Sequence, residues 1–201
     1  MNYLIVYTHP NPVSFNHAIV QIISEELGER EQYLRVRDLY ALGFDPVIKI
    51  SDYEAIKHEE VPQDIRTEQG HILWADIIIF VSPVFWAGLP ALLKGYIERV
   101  FTQGFAYDFV ESRFRGLLKD KKAVIINTTG GSLQMYESSG MLESIRQTID
   151  GGIFRFCEME VLGHKFFMNV PFITDSQRAM MLEEVRDMVK TLCRTNGKRI
   201  E

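Results

Sequence analysis

Cysteine is scarce in this chain of 201 residues, which has only Cys157 and Cys193. Neither belongs to a C-x-x-C pair or another ligand spacing, so we expect free buried thiols and no metal site. Free thiols are typical of a reducing compartment, and a cytoplasmic location is therefore expected.

Long apolar runs are absent as well. No stretch approaches the ~20 residues that a helix needs to span a bilayer. The short run Leu4–Tyr7 lacks the basic leader that opens a secretory signal peptide. The sequence therefore predicts neither membrane insertion nor secretion.

Dense basic clusters are also missing, and the formal net charge is -5. This charge balance does not predict the basic surface that binds nucleic acid or an anionic membrane. The short basic tail, with Arg194, Lys198 and Arg199, is interpreted as a solvated end. Hydrophobic residues make up 46% of the chain, as in ordinary globular proteins, so residues 1–201 are expected to form one domain.

Several well-known site motifs do not occur. The chain has no G-x-G-x-x-G dinucleotide fingerprint, no G-x-x-x-x-G-K-[ST] phosphate loop and no G-x-S-x-G nucleophile elbow. A phospho-receiver domain needs acidic residues after its first strand, where this chain has Thr8 and His9. These absences exclude the commonest nucleotide-binding and hydrolase sites.

What the chain does have is buried strands that alternate with helices. Ile77–Val81 is an unbroken apolar run that Pro83 ends, which is typical of a central parallel strand. Further strands are predicted at Tyr3–Tyr7, Tyr33–Val36, Lys122–Thr129 and within Phe154–Phe167, where we expect either a long strand or a bend around Gly163. Amphipathic helices are predicted between them, whereas 51–62 and 103–121 are predicted as loops, the first with at most a turn of helix.

This order predicts an α/β fold with a five-stranded parallel sheet, strand order 2-1-3-4-5, and helices on both faces. Ligands of such sheets bind outside the carboxyl ends of the strands. Three loops are expected at that edge: His9–Asn16, Pro83–Trp86, and Thr128–Gly131 with Tyr136 just after it.

Each loop has an ordinary explanation and a functional one. Ser14 or Asn16 caps the first helix, or both also bind an anion at its positive end. Gly130 and Gly131 form a tight turn, or they let the backbone approach a ligand. Phe85 and Trp86 supply flat walls. Together, the three loops describe a site for phosphate, a flat ring and its hydrogen-bonding edge, which is the chemistry of a flavin nucleotide.

The motifs also resemble a known family, the flavodoxin-like NAD(P)H:quinone oxidoreductases. The stretches that carry the resemblance run from residue 9 to 136: His9-x-x-x-x-Ser14-Phe15-Asn16, Asp38-Leu39-Tyr40-Ala41, Phe44-Asp45-Pro46, Pro83-x-x-Trp86, Gly88-x-Pro90-Ala91-x-Leu93-Lys94-Gly95, Glu98-Arg99-Val100-Phe101, Gly104-Phe105-Ala106-Tyr107, and Thr128-Thr129-Gly130-Gly131-Ser132 with Met135-Tyr136. Their number and order make the resemblance specific.

The resemblance implies a role for each loop. The flavin phosphate would be held by His9, Ser14, Phe15 and Asn16. The flavin ring would be bordered by Pro83, Val84, Phe85 and Trp86. Its polar edge would be hydrogen-bonded by Thr128, Thr129, Gly130 and Gly131, and Tyr136 would face the substrate pocket as the catalytic residue.

The activity that the resemblance implies is hydride transfer from NADH or NADPH to the flavin, then to a quinone or similar flat acceptor. Both FMN and FAD stay open, and Arg178 is either an adenine-end contact or a solvated arginine. Two alternatives also stay open. One is a flavin-binding ancillary subunit of a potassium efflux system, with a transporter as partner. The other, which the aromatic loop disfavours, is a one-electron carrier like flavodoxin.

Relatives are usually homodimers with a shared active site. The helix Ala91–Phe101 is apolar around most of its circumference, so we expect it to be buried twice or to pack on another subunit. One position departs from the mammalian pattern: Leu142 stands where those enzymes have a histidine. Because leucine cannot donate a proton, Tyr136, water or another group has to serve.

Overall fold

Within residues 1–58, 60–195 and 197, which the computed structural model describes, seven strands form. They are β1 (Asn2–Tyr7), β2 (Tyr33–Asp38), β3 (Ile77–Pro83), β4 (Tyr107–Val110), β5 (Arg113–Gly116), β6 (Lys122–Thr128) and β7 (Glu160–Phe167). Five of them build a parallel sheet in the order β2-β1-β3-β6-β7, which confirms the predicted strand order. Lys198 and Arg199 of the basic tail lie outside the described residues.

Helices cover both faces of this sheet. They are α1 (Phe15–Glu29), α2 (Ile50–Lys57), α3 (Gln63–Trp74), α4 (Ala91–Val100), α5 (Leu133–Ser138), α6 (Met141–Arg146) and α7 (Asp175–Arg194). A π-helix, Gln147–Arg155, continues α6, and a short 3-10 helix spans Val170–Phe172. No helix in the described part of the chain is long and apolar enough to cross a membrane.

The sheet separates two hydrophobic clusters because successive strand residues point to opposite faces. Ile78 and Phe80 of β3 belong to the cluster under α4 and α6. Ile77 and Ile79 belong to the cluster under α1 and α7. Every residue of β3 is buried, as expected for a central strand covered on both sides.

The loop predicted over 51–62 is wrong, because α2 occupies Ile50–Lys57. This helix has little apolar surface of its own. Tertiary contacts hold it instead: Asp52 accepts a 3.1 Å hydrogen bond from the Lys49 backbone and a 3.0 Å bond from Arg99 Nε. A polar sequence can therefore be helical when a partner helix supplies the charge that it needs.

The loop predicted over 103–121 is also wrong, because β4 and β5 form an antiparallel hairpin there. Its turn places Glu111 and Ser112 at φ 50° and 63°, a region that hairpin turns usually fill with Asn or Gly. The usual hairpin signal is therefore missing from the sequence.

Helix α4 is buried twice within the chain, which confirms one of the two explanations for its apolar circumference. Leu93, Tyr96 and Val100 pack into the cluster beneath the sheet. On another side, Gly95 lies so close to Pro46 that any Cβ would collide with the proline backbone.

The bend predicted in β7 is confirmed by a register shift. Ala123 pairs with Val161, whereas the next residue, Val124, pairs with Gly163. One extra residue on β7 is thereby accommodated as a bulge. The strand begins only at Glu160, and Phe154 lies in the π-helix before it.

Candidate functional site

The three predicted loops meet at the carboxyl edge of the sheet, where hydrogen bonds connect them. We name them the anion loop (His9–Asn16), the ring loop (Pro83–Trp86) and the glycine loop (Thr128–Gly131). Asn16 Nδ2 donates to Thr128 Oγ1 over 2.7 Å. The backbone N–H of Val84 donates to the Thr128 carbonyl over 2.8 Å. Thr128 thus joins the anion loop to the ring loop.

In the anion loop, Ser14 is the N-cap of α1, and its Oγ accepts from the His17 backbone N–H over 3.1 Å. Asn16 does not cap the helix, because its side chain reaches across to β6. Capping by Ser14 leaves the backbone N–H groups of Phe15 and Asn16 without an acceptor in the described part of the chain. Such groups at the positive end of a helix suit an anion.

His9 presents a second donor at the same end. The Asn11 backbone N–H donates to His9 Nδ1 over 3.0 Å. Nδ1 also lies 3.2 Å from the Asn11 carbonyl. When Nδ1 accepts the shorter bond, the proton of the neutral ring sits on Nε2, on the opposite side of the imidazole.

Three side-chain atoms around the anion loop are buried without a hydrogen-bond partner: Thr8 Oγ1, Asn16 Oδ1 and His17 Nδ1. Buried polar atoms are nearly always paired, so three such atoms in or directly beside one loop, unpaired within the described part of the chain, indicate a place for a polar ligand. Neither Thr8 nor His17 was among the predicted site residues. The signal in the sequence was their position directly beside the predicted loop.

The ring loop leaves the sheet through a tight two-residue turn. Phe85 and Gly88 exchange backbone hydrogen bonds of 3.0 and 3.1 Å. The two residues between them, Trp86 and Ala87, have φ of 50° and 60°, which is strained for residues other than Gly or Asn. This conformation leaves the Trp86 side chain fully exposed and Phe85 46% exposed, while Pro83 stays buried.

The glycine loop is held by its own threonine. Thr129 Oγ1 donates to the Gly131 carbonyl over 2.9 Å, and the Thr129 backbone N–H donates to the Phe167 carbonyl over 2.9 Å. Neither Gly130 nor Gly131 has a positive φ, so a turn that requires a left-handed backbone does not explain why glycine stands at these positions. A Cβ on Gly131 would collide with Met135, and one on Gly130 would meet almost nothing.

Tyr136 packs beside Gly131 and is only 9% exposed. Burial raises the pKa of its phenol, so the hydroxyl keeps its proton at neutral pH. Leu142 is partly buried against the same cluster and contributes no polar atom. Tyr136 is therefore the proton-bearing side chain that the structure places at this end of the glycine loop.

Arg178 is half-buried rather than fully solvated, and its contact with an adenine stays a prediction. Its Nη2 donates to the backbone carbonyls of Val170 and Ile173, over 3.1 and 3.2 Å. Its Nε is buried without a partner. The guanidinium thus ties the start of α7 to the segment that follows β7.

A buried polar chain behind the edge was missed altogether. His164 Nδ1 lies 2.7 Å from Asp150 Oδ1, and His164 Nε2 lies 2.8 Å from Asn127 Oδ1. Asn127 Nδ2 lies 3.1 Å from the Ser82 carbonyl and 3.0 Å from Ser82 Oγ. The signal was a polar residue, Asn127, near the end of an otherwise apolar strand.

A five-stranded parallel sheet in the order β2-β1-β3-β6-β7, with helices on both faces, defines a doubly wound α/β protein, the class whose ligands bind at the carboxyl edge of the sheet. The particular family follows from comparison with known proteins. The model of the flavodoxin-like fold family matches residues 1–190, and the chain belongs to this family. The fold and the family resemblance expected from the motifs are thus confirmed.

Individual relatives are similar over nearly their whole length. A protein of Haemophilus influenzae named "uncharacterized NAD(P)H oxidoreductase" is 35% identical over 184 residues, which cover 91% of each chain. Ribosyldihydronicotinamide dehydrogenase [quinone] of Rattus norvegicus is 34% identical, over 94% of this chain and 90% of its own. Among solved structures, the NAD(P)H:quinone oxidoreductase of Methanothermobacter marburgensis superposes with a TM-score of 0.85 at 27% identity, covering 96% of both chains.

The residues present fit a flavin nucleotide. Free backbone N–H groups at the start of α1 suit its phosphate, and the unpartnered hydroxyl of Thr8 and amide oxygen of Asn16 suit a polyhydroxylated chain. The open space at Gly130 and the exposed face of Phe85 suit a flat ring. The donor set contains no conflicting carboxylate in any of the three loops.

Proposed function

We propose that this protein is a flavin-dependent NAD(P)H oxidoreductase that passes a hydride from NADH or NADPH, through bound flavin, to a quinone or similar flat acceptor. One observation carries the proposal. Three loops from distant parts of the chain meet at one sheet edge, and buried polar atoms in and beside the first have no hydrogen-bond partner among the described residues. The oxidoreductase names of the relatives support the reaction class.

The anion loop would hold the phosphate. Phe15 and Asn16 would contribute backbone N–H groups, His9 would contribute Nε2–H, and Ser14 would keep the helix start in place through its cap. Because the loop carries no lysine or arginine, binding would rest on hydrogen bonds and the helix dipole.

The ring loop and the glycine loop would hold the ring. Pro83 and Val84 would form the base of one wall, and Phe85 and Trp86 its outer part. Thr128 and Thr129 would fix the backbone of Gly130 and Gly131 against the polar edge. Bound flavin supplies the chemistry of accepting and releasing a hydride, and the protein supplies its placement.

Tyr136 would serve the acceptor. Its raised pKa keeps a proton on the phenol, and the phenol would donate a hydrogen bond to the oxygen that gains negative charge. With Leu142 in the place of a histidine, Tyr136 would act without an imidazole partner at that position.

We also propose a homodimer. The hairpin of β4 and β5 exposes Phe109 and Phe114 by 53% and 64%, and Phe114 packs 5.5 Å from the ring of Phe156, which is itself 40% exposed. A contiguous aromatic surface of this kind supports an interface. A second copy of this chain, bringing its own hairpin close to the ring loop, is the occupant that we expect. Light scattering of the purified protein tests this, and a monomer at micromolar concentration would contradict it.

The decisive experiment is anaerobic stopped-flow absorbance of the flavin-loaded protein, mixed first with NADPH and then with NADH. We expect rapid loss of the flavin band with at least one donor and its return when a quinone is added. Steady-state kinetics should be of the ping-pong type, with parallel double-reciprocal lines, because both substrates use one pocket. Bound flavin that neither nucleotide reduces would overturn the proposal.

A further inference from the structure

The buried chain Asp150–His164–Asn127–Ser82 can be assigned proton by proton. The Ser82 carbonyl can only accept a hydrogen bond, and it lies 3.1 Å from one end of the Asn127 amide. That end must therefore be the NH₂ group, since two carbonyl oxygens would repel one another. The amide oxygen of Asn127 then points at His164 Nε2, 2.8 Å away.

This orientation fixes the state of the imidazole. Because Asn127 Oδ1 accepts, His164 Nε2 must carry a hydrogen. His164 Nδ1 lies 2.7 Å from Asp150 Oδ1, and with Asp150 ionised it carries a hydrogen too, because two lone pairs would repel there. The arrangement in the structure is thus that of a doubly protonated ring between a carboxylate and an amide.

The surroundings make that second proton removable. Burial lowers the pKa of His164, its bond to Asp150 opposes this, and the positive charge of Arg146 lowers the pKa further. Arg146 lies over the ring of Phe166, which stacks on His164 with 4.1 Å between centroids. The His164 side chain is 2% exposed, so the loss of charge must be compensated inside the chain.

A neutral ring would reverse the amide. It would keep Nδ1–H on Asp150, and its bare Nε2 would need a donor, which Asn127 supplies only by turning its NH₂ toward His164. Asn127 Oδ1 would then face Ser82, whose Oγ–H, now 3.0 Å from the amide, can donate to it. The Ser82 carbonyl would lose its side-chain donor and would face the amide oxygen instead, so the hydroxyl bond from Ser82 would have to offset the repulsion between the two oxygens.

We propose that His164 is a positioning residue whose protonation sets the orientation of the Asn127 amide and, through it, the hydrogen bonds of Ser82 at the base of the ring loop. Ser82 directly precedes Pro83, and Asn127 directly precedes Thr128, so the change reaches two of the three loops. His164 is not a proton donor to a ligand, since the Asn127 amide stands between it and Ser82. Only the effect on cofactor binding rests on the proposed function.

The test is a nuclear magnetic resonance titration of the full chain, without flavin, from about pH 5 to about pH 9, the range in which histidines change charge. Nitrogen chemical shifts report the charge and tautomer of His164, and the side-chain NH₂ shifts of Asn127 report its surroundings. We expect His164 to pass from the doubly protonated ring to the Nδ1–H tautomer, and the Asn127 signals to move with the same midpoint.

Two variants should shift that midpoint in opposite directions. Ser82→Ala removes the hydroxyl that the reversed amide needs, so the midpoint should rise by about one pH unit, a tenfold change in proton affinity. Asp150→Asn removes the carboxylate that favours the charged ring, so the midpoint should fall below that of the native chain. Ser144→Ala on α6, whose hydroxyl donates to the Gly140 carbonyl, is the control and should not shift it.

Asn127 signals that stay constant while His164 titrates would overturn the proposal, as would a His164 that keeps one state throughout. FMN affinity, followed by fluorescence on the same samples, adds a second readout. We expect about threefold weaker binding above the midpoint, and pH-independent affinity would contradict the link to the ring loop. If FMN and FAD fail to bind at every pH while the titrations remain coupled, the proposed function fails and the amide switch stands.

Discussion

Two regions of the molecule bury polar groups in opposite ways. The first, the polar frame, joins α4 to α2 and α3 through Arg99 with Asp52 and Asp64, and joins β2 to α3 through Arg37 with Glu68. There, Arg99 also donates to the Asp45 carbonyl over 2.8 Å, and both oxygens of Glu68 accept from Arg37. The second is the anion loop, where Thr8, Asn16 and His17 each hold a buried atom without a partner.

The contrast separates structural from functional polarity. Breaking a buried ion pair is costly because it leaves one charge buried without a partner. A buried hydroxyl or amide without a partner, by contrast, lowers the stability of the fold unless a ligand binds it. The polar frame is therefore complete without a ligand. The anion loop becomes complete only with one, and this difference is what points to the site.

The largest expected effect is on the polar frame. Arg99→Met leaves the buried Asp52 carboxylate without its partner, so we expect a loss of about 3–5 kcal/mol in the free energy of unfolding. Urea denaturation followed by circular dichroism measures it. Lys94→Met on the same helix, which breaks the half-exposed pair with Glu98, is the control and should cost less than about 1 kcal/mol. Equal losses of unfolding free energy in the two variants would contradict a special structural role for the polar frame.

The stability that the polar frame contributes should also depend on pH. Burial opposes ionisation of Asp52, but the hydrogen bonds from Arg99 and the Lys49 backbone, together with the positive charges of Arg99 and Lys49, outweigh it, so the pKa of Asp52 is lowered from 3.8. A lowered pKa gives stability that is present above the unfolded value and is lost as pH falls through the folded one. Asp52→Asn should therefore cost about 2 kcal/mol at neutral pH.

That deficit should shrink in acid. Between about pH 4 and about pH 2, the native chain loses the contribution of Asp52 and the variant has none to lose. Denaturation curves of both proteins across this range measure the difference. A deficit that stays constant with pH would show that Asp52 acts through packing alone.

On the side of the anion loop, Asn16→Asp should damage binding more than folding. The Thr128 hydroxyl can donate to the new carboxylate, so the link to β6 survives, while a negative charge now faces the phosphate. We expect at least about tenfold weaker binding of FMN or FAD, or about 1.4 kcal/mol. Isothermal titration calorimetry measures it, and unchanged affinity would place the phosphate elsewhere.

Thr8→Val sharpens the comparison because it removes an unpaired atom and keeps the shape. We expect the chain without ligand to gain about 1 kcal/mol of stability, since a buried hydroxyl without a partner is lost. Flavin affinity should fall at the same time. A variant that is less stable without ligand would mean that the hydroxyl has a structural role.

The smallest change in stability is expected at Ala87, in the tight turn that follows Phe85 of the ring loop. Ala87 has φ 60°, where glycine is at no disadvantage, so Ala87→Gly should stabilise the chain by about 0.5–1 kcal/mol. In a chain of this size, each kcal/mol of added stability raises the melting temperature by about 2–4 °C. Scanning calorimetry measures it. A lower melting temperature would show that the turn is not strained.

The sequence predicted the sheet and the loop positions well because apolar runs and their breakers are local signals. Strand order and the Ser14 cap both followed from such signals. It failed where structure depends on distant partners. Helix α2 requires Arg99, and the hairpin forms despite a turn of Glu111 and Ser112.

The same limit applies to the site. Residues within the three loops could be located from motifs, whereas His164 and Asp150 could not, because their meeting depends on how β7 and the π-helix pack. Nothing in the spacing of Asp150 and His164 distinguishes them from surface residues. Only the burial of both side chains does.

The bond between Asn16 and Thr128 has a consequence for the order of folding. It joins residues 112 apart in sequence, so the anion loop cannot take its final form until β6 has docked in the sheet. Contacts of long sequence separation form late, because closing a long loop costs entropy before the contact returns any energy. During refolding, the far-ultraviolet signal of the helices should therefore recover before flavin capture does, and a chain emerging from the ribosome should remain unable to bind until Thr128 has left the exit tunnel.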